Sequence, residues 1–302
     1  GWLRWEERFG PGLLGSEGAL RAGAHPVELD ALRAAGVPAE AIDSAAAREL
    51  FPIASAPNGM LLWDPLAGAI RAAATVAALS DRLGAALHRT AVSSIAVEPG
   101  GDGVEIRTAA GRHRSGRCVV CAGAGTDGLV RPLGLDIRQD RQAHLRLSFR
   151  TNARPGRPLP CFSDRSGAGS EHVYGLTDLG DRYAVGLATV TTYPAVEDLA
   201  ADVPPGVDVS SQRARIVAYV SRALPGLDPR PVDEVLRLTT TLPDHPEDGF
   251  EVWRRGPIVS VAGPNLFKFA PVIGERLAEA AAEVPASGTV NTARGTPVAP
   301  SR

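Results

Sequence analysis

Residues 258–271 read IVSVAGPNLFKFAP, and they carry the signals of a strand, a glycine turn and the start of a helix. Four of the first five residues are apolar, and we predict a short buried strand at Ile258–Ala262. Gly263 opens the turn, and Pro271 favours the first turn of a helix that we predict as far as Ala282. The N-terminus of such a helix directs free amides and the positive end of its dipole toward whatever the turn binds. The stretch therefore predicts an α/β fold with a binding turn.

A second glycine turn, GAGTDG at residues 123–128, follows the apolar segment Cys118–Ala122. It fits the G-x-G-x-x-G pattern, but a dinucleotide fingerprint also needs a full helix and an acidic residue about 20 positions later. Gly134 ends the helical segment early, and Asp136 and Asp140 come too soon. We interpret the segment as a tight turn at the carboxyl end of a strand, where ligands of open α/β sheets bind.

The remaining chain alternates between helical and extended segments. We predict helices at Val27–Ala35, Pro38–Leu50, Ala67–Leu83 and Ser211–Leu224, and strands at Gly59–Trp63, Leu87–Val97, Val104–Arg107, Leu135–Phe149, Val173–Leu176, Tyr183–Ala188 and Val232–Leu242. The fold class is mixed, α/β at both ends and strand-rich in the middle, as two interleaved domains would give. The polar tail from residue 285 to 302 is expected to be disordered.

Composition excludes several functional classes. The 302 residues are 44% hydrophobic with a net charge of −2, which suits a globular protein and gives no field for nucleic acid or an anionic membrane. No apolar run approaches the ~20 residues of a membrane span. Three cysteines argue against a disulfide framework and fit a reducing cytoplasm, and we expect Cys118 and Cys121 to be small core residues on opposite faces of a strand. No metal site is expected.

Lys268 is the only lysine in a chain whose other basic residues are arginine. It lies in the turn before Pro271. A single lysine in a chain that otherwise uses arginine indicates a role that a guanidinium cannot fill. The alternative, to which we give equal weight, is that Lys268 is a solvated lysine before a packing helix.

The sequence resembles the FAD-dependent oxidoreductases of the D-amino-acid oxidase and sarcosine oxidase family. The most specific element is Phe267-Lys268-Phe269 between the strand and the helix. The segment Thr90-Ala91-Val92, the turn Gly123-Ala124-Gly125, and Tyr174-Gly175 followed by a strand with Gly186 are also similar to the family. The resemblance extends over residues 59–283.

This resemblance implies FAD as cofactor and a division of the chain. A Rossmann-like FAD-binding domain would comprise residues 1–9, 59–134 and 246–284, and a substrate domain residues 10–58 and 135–245. The resemblance implies that Val92 contacts the adenine end, and that Gly123 and Ala124 line the cofactor. Tyr174 would lie in the substrate pocket. The turn residues that would run past the flavin, with Lys268 at the flavin or substrate face, are Gly263, Pro264, Asn265, Leu266, Phe267 and Lys268.

The chain also departs from the family pattern. The first strand–GxGxxG–helix unit has no counterpart, so we expect an N-terminally truncated fragment. The usual Gly-His-Gly is shortened to Pro264-Asn265-Leu266, and residues 236–241 hold no cysteine, so FAD is expected to be non-covalent. Ala184 and Ala188 stand where sarcosine oxidases have a lysine and a histidine. The electron acceptor, oxygen or another, therefore stays open.

Three functions follow from these observations, in order of preference. The first is FAD-dependent oxidation of the C–N bond of a small amine or amino acid, with Lys268 and Tyr174 as the catalytic candidates. The second is a non-catalytic homologue or subunit without a working cofactor site, as the missing fingerprint and Ala184 and Ala188 suggest. The third is an NAD-dependent dehydrogenase that uses residues 123–128. The substrate and the oligomeric state are not specified by the sequence.

Overall fold

The computed structural model describes residues 1–55, 59–152, 158–166, 172–178, 180–188, 191–193, 207–245, 249–283 and 291–295. Within them the chain forms two compact units. Unit 1 contains Gly1–Leu13, Ala72–Arg141 and the described part of Thr239–Val298, and unit 2 contains Leu14–Arg71 and the described part of Gln142–Leu238. No described helix is long and apolar enough to cross a membrane.

Helices and strands are mixed throughout both units. The helices are α1 (Trp2–Phe9), α2 (Pro26–Ala34), α3 (Ser44–Leu50), α4 (Ala72–Leu83), α5 (Thr126–Val130), α6 (Val209–Ala223) and α7 (Ala270–Ala282). The strands are β1 (Ala19–Ala22), β2 (Glu40–Ile42), β3 (Leu61–Asp64), β4 (Val92–Val97), β5 (Val104–Thr108), β6 (Gly111–Ser115), β7 (Cys118–Val120), β8 (Asp140–Thr151), β9 (Cys161–Asp164), β10 (Val173–Thr177), β11 (Arg182–Leu187), β12 (Thr191–Tyr193), β13 (Leu227–Thr241), β14 (Phe250–Arg255), β15 (Ile258–Ala262) and β16 (Asn291–Gly295). The predicted mixed α/β class is confirmed.

Unit 2 is built on one large sheet with the strand order β12-β8-β11-β10-β9-β1-β3-β2, and β13 also pairs with β8. Alternate residues of β8 and β11 point to opposite faces of the sheet. Leu145, Leu147 and Phe149 of β8 enter a core that also contains Ile216 and Val220 of α6. The face of the sheet opposite α6 is called the far face below.

Unit 1 contains two smaller sheets. One has the order β16-β14-β15-β7, and the other has the order β4-β5-β6. Ile95 of β4 packs with Val120 of β7 and with Val130 of α5, so one hydrophobic core joins the two sheets. On β15, Val259 and Val261 pack against Ile273 of α7. Helix α7 therefore packs against β15, the strand that precedes it in the chain.

Several predicted elements have other boundaries in the structure. Residues 38–50 are not one helix, because β2 pairs with β3 before Asp43 caps α3 by accepting a hydrogen bond from the amide of Ala46 at 2.8 Å. The helix predicted from Ala67 begins at Ala72, since the side chain of Asp64 accepts from the amide of Leu66 and holds a turn there. Strand β4 begins at Val92, five residues later than predicted.

Two larger expectations also need correction. Residues 291–295 lie in the tail that was expected to be disordered, but they form β16, which pairs antiparallel with β14. Strand β3 was assigned to the cofactor domain, yet it pairs with β1 and β2 and belongs to unit 2, while residues 10–13, 135–141 and 239–245 belong to unit 1. Cys121 is exposed and Cys118 is half-buried, because β7 ends at Val120 before the second cysteine is covered.

Candidate functional site

The two glycine turns singled out in the sequence meet at one edge of the unit 1 sheet. Strand β7 pairs with β15 in parallel, with Cys118 opposite Ile258 and Val120 opposite Ser260. Parallel strands end at the same side of their sheet, so the turns after residues 120 and 262 leave the same edge. The carboxyl edge of parallel strands is where open α/β sheets bind ligands. Sequence reasoning placed each turn after its strand, and the structure adds that the two strands are neighbours.

The turn after β15 is shaped by two unusual backbone conformations. Gly263 has a φ of 152°, and a Cβ there would lie 2.6 Å from Cβ of Phe250, so only glycine fits. Asn265 has a φ of 53°, in the left-handed region where asparagine is one of the few tolerated side chains. A short 3-10 helix, Leu266–Phe269, then leads into α7, which has Pro271 in its first turn. The backbone path is therefore fixed by residue type at the turn that carries Lys268.

The turn after β7 is held by side chains from outside it. Gly123 has a φ of 55°, and nothing lies within 4 Å of the place of its missing Cβ. Gln139 donates from Nε2 to the carbonyl of Gly123 at 3.3 Å and to Oγ1 of Thr240 at 3.2 Å, and Arg141 donates to the carbonyl of Ala124 at 3.4 Å. Side chains thus hold the carbonyls of Gly123 and Ala124 by hydrogen bonds. Gly123 itself is exposed, and the space beside its Cα is empty of other protein atoms.

Lys268 and Phe267 are exposed, and α1 lies against their segment. The indole Nε1 of Trp2 donates a hydrogen bond to the carbonyl of Lys268 at 2.7 Å, and the ring of Trp2 lies 5.7 Å from that of Phe267. The main chain at Lys268 is therefore anchored by Trp2.

A sequence model of the family described as FAD dependent oxidoreductase matches residues 2–280. The chain belongs to this family. Monomeric sarcosine oxidase of Streptomyces avermitilis is 29% identical over 266 residues, which are 81% of this chain and 65% of that protein. The chain thus spans less than two thirds of the length of this curated relative.

Solved structures show the same fold at lower identity. The amino acid oxidase NikD in its open form has a TM-score of 0.76 and 22% identity, and the match covers 93% of this chain and 77% of NikD. Glycine oxidase from Geobacillus kaustophilus has a TM-score of 0.67 and 20% identity, covering 94% of this chain and 76% of that protein. The recognition of the family from the sequence is confirmed.

The other two site residues that the family resemblance predicted, Val92 and Tyr174, belong to other strands. Val92 begins β4 in the β4-β5-β6 sheet of unit 1, where it is 39% exposed. Tyr174 belongs to unit 2, where it lies on the far face of β10 and pairs with Gly186 of β11. Its ring leans over Gly186, because a Cβ at that glycine would lie only 2.5 Å from the Tyr174 hydroxyl. Burial raises the pKa of the Tyr174 hydroxyl, and the guanidinium groups of Arg146 and Arg237 lower it.

Two histidines lie near Tyr174 and Gly186: His144 belongs to β8, and His172 immediately precedes β10. His172 accepts or donates a hydrogen bond at 2.8 Å between its Nε2 and Oγ of Ser163. Burial lowers the pKa of His172 and of His144, while nearby Arg165 lowers the former further and a backbone hydrogen bond with Leu187 raises the latter. Both imidazoles are therefore held toward the neutral form.

Sequence reasoning missed the residues that hold the site together. Gln139 and Thr240 are about a hundred positions apart, and Trp2 is 266 positions from Lys268, so no local pattern connects them. Strand alternation along β8 was the one available signal, since it places Arg146 on the face opposite the core.

Proposed function

We propose that this chain binds FAD without a covalent link and takes part in the oxidation of the C–N bond of a small amine or amino acid. The observation that carries the proposal is the family match over residues 2–280. The sarcosine oxidase relative supports an amine or amino acid as substrate. Unit 1 is proposed as the cofactor domain and unit 2 as the substrate domain.

The edge formed by β7 and β15 fits an elongated anionic cofactor. Gly123 leaves open space beside an exposed turn, and the Gly263 turn leads directly to the N-terminus of α7. The free amides and dipole of that 13-residue helix favour negative charge near its start. We propose that the cofactor is held by Val92, Gly123, Ala124 and the turn residues Gly263, Pro264, Asn265, Leu266, Phe267 and Lys268. When bound, the flavin supplies the acceptor for the hydride of the substrate's α-carbon.

The protein's own groups bind and orient the substrate. Lys268, whose backbone is anchored by Trp2, is proposed to hold a carboxylate or to contact the flavin edge. Tyr174 is proposed to contact the substrate from β10, with its phenol kept protonated by burial. The lowered pKa values of His144 and His172 keep both imidazoles neutral near pH 7, so they add no positive charge beside the substrate's ammonium group.

The test is the visible absorption spectrum of the purified full-length gene product, before and after acid precipitation. Flavin bands that leave with the supernatant are expected for non-covalent FAD. Anaerobic mixing with sarcosine, glycine and L-proline should then bleach the flavin for at least one of them.

Lys268→Met should slow this bleaching at least about tenfold, whereas Lys268→Arg, which keeps the charge, should retain part of it. Bleaching at the native rate in Lys268→Met would remove Lys268 from the site. Absence of flavin in the purified protein would favour the non-catalytic homologue instead.

A further inference from the structure

The far face of the unit 2 sheet carries a row of residues that spans three strands. Tyr174 on β10 is paired with Gly186 on β11, and Gly186 is paired with Arg146 on β8. Residues paired directly across antiparallel strands point to the same face. Because Gly186 has no side chain, the ring of Tyr174 lies over it and brings the hydroxyl toward Arg146.

A second arginine joins this row from β13, which also pairs with β8. Leu236 packs against the core on the α6 side, so its neighbour Arg237 points to the far face. Arg146 and Arg237 both lie near enough to the Tyr174 hydroxyl to lower its pKa. Two guanidinium groups and a phenol therefore converge on one patch, and we call these three residues the arginine–tyrosine cluster.

Among the residues that the structure describes, the charges of this cluster have no counterion, unlike those of other arginines on the same face. Arg150 makes an ion pair with Asp181 at 3.1 Å, and Arg182 makes ion pairs with Asp178 at 3.7 Å and Asp233 at 3.8 Å. Within the described part of the chain, Arg146 and Arg237 form no hydrogen bond and no ion pair, and the Tyr174 hydroxyl has no acceptor.

Two neighbouring cations without a counterion repel each other, and an anion placed between them removes that repulsion. The fork of N–H donors on each guanidinium matches the two oxygens of a carboxylate, and the phenol adds one more donor. Two positive charges are balanced by a ligand with two negative groups.

We propose that the arginine–tyrosine cluster binds the acidic groups of a dicarboxylate, so that the amine substrate of this protein is an amino or imino dicarboxylic acid. The proposal rests on the proposed function for the oxidation step, but the binding of the dicarboxylate itself does not. The cluster determines specificity, and Arg146 and Arg237 are binding residues that take no part in proton or hydride transfer.

Ligand binding without turnover is the first test. Succinate and butyrate have the same carbon chain, and only succinate has the second carboxylate. Calorimetric titration should show succinate binding at least about tenfold more tightly than butyrate, which is the size of effect expected for one charge-assisted contact pair. Arg146→Gln and Arg237→Gln should each remove most of this preference.

Arg150→Gln is the matched control, because Arg150 lies on the same strand but is paired with Asp181. It should keep the preference for succinate. Equal binding of succinate and butyrate by the native protein, or the same loss in Arg150→Gln as in Arg146→Gln, would overturn the proposal. Inorganic phosphate that binds more tightly than succinate would also overturn it, by showing a phosphate site in place of a dicarboxylate site.

Flavin reduction separates this inference from the proposed function. Aspartate and asparagine are nearly isosteric, and aspartate should be preferred at least about tenfold in kcat/KM, mainly through KM. Arg146→Gln should abolish the preference, mainly by raising KM for aspartate, whereas the control Arg150→Gln should keep it. Reduction by other amines with no preference for aspartate would sink the inference and leave the proposed function standing. Succinate binding without reduction by any amine would do the reverse.

Discussion

The same substitution should have different effects on the free energy of unfolding at two glycines on paired strands of unit 2. Gly175 and Gly186 each lie beneath a tyrosine ring, but on opposite faces of the sheet. An added Cβ at Gly175 would lie 2.5 Å from Cε1 of Tyr183, and one at Gly186 would lie 2.5 Å from the hydroxyl of Tyr174. Both distances are too short for any real contact, so in each case the tyrosine must move.

Tyr183 cannot move without loss. It is fully buried, it packs 5.5 Å from the ring of Phe51, and its hydroxyl donates to the carbonyl of Pro160 at 2.8 Å. Overpacking a core costs about 1–3 kcal/mol, and a broken buried hydrogen bond adds about 1 kcal/mol. We therefore expect Gly175→Ala to lower the free energy of unfolding by about 2–4 kcal/mol. At about 2–4 °C per kcal/mol, the melting temperature should fall by roughly 4–16 °C.

Tyr174 can move freely by comparison. It is half-buried on the far face, its hydroxyl has no acceptor among the described residues, and its ring can rotate away from Gly186. Replacing glycine by alanine in a strand also removes backbone entropy from the unfolded chain. Gly186→Ala should therefore leave the free energy of unfolding within about 0.5 kcal/mol of the native value, while it displaces Tyr174 and weakens succinate binding.

Thermal and urea unfolding followed by circular dichroism measure both effects. The matched control is a double-mutant cycle, because Gly175→Ala should cost less than about 0.5 kcal/mol once Tyr183→Leu has removed the ring. If Gly175→Ala unfolds like the native protein, or Gly186→Ala is destabilised equally, the assignment of the two faces is wrong.

Two further predictions concern titratable side chains. Burial raises the pKa of Cys161 to about 12, so about 10⁻⁴ of this thiol is ionised at pH 8 and the exposed Cys121 should react first with a disulfide reagent. Cys121→Ser should remove the fast phase of the reaction and Cys161→Ser should leave it intact, and the reverse result would contradict the burial of Cys161. Burial lowers the pKa of His144 and His172 in the folded state. Below the histidine pKa of about 6.5, the unfolded chain therefore binds more protons than the folded chain does. The folding stability that these residues contribute is lost as the pH falls below that value. The double variant His144→Gln/His172→Gln should lose less stability between pH 7 and 5.5 than the native protein, and an equal loss would count against this linkage.

The sequence predicted those elements whose signals are local. Strand β15 has the predicted bounds because a short, mainly apolar run lies between turn residues. Strands β10 and β11 also lie within one residue of their predicted bounds, since alternating segments flank a turn in which Gly180 has a φ of 70°. Where an element depends on a distant partner, prediction failed. Residues 40–42 have helical composition but pair with β3, some twenty residues away, and β16 forms on the edge of β14 from a polar tail.

In the candidate site, too, the features with local signals were predicted and those that depend on distant partners were not. The turns at Gly123 and Gly263 were found from glycine and strand signals, but their meeting at one edge requires the parallel pairing of β7 with β15. The alternation in β8 shows that Arg146 and Arg150 share a face. It cannot show that, among the described residues, Arg150 has an acidic partner and Arg146 has none, because Asp181 belongs to another part of the chain. Compensation of charge is a property of the tertiary structure.

Strand β11 explains why the chemistry of the far face comes from its neighbours. Tyr183, Val185 and Leu187 fill the core, and the alternate positions are Ala184, Gly186 and Ala188. Side chains this small leave room above the strand, and β10 and β8 fill it from either side with Tyr174 and Arg146. The alanines that depart from the sarcosine oxidase pattern therefore do not empty this face of ionisable groups. The polar contacts of this face come from the flanking strands β10 and β8 and not from β11. A change in the ligand charge that the protein prefers is therefore the expected consequence of these departures.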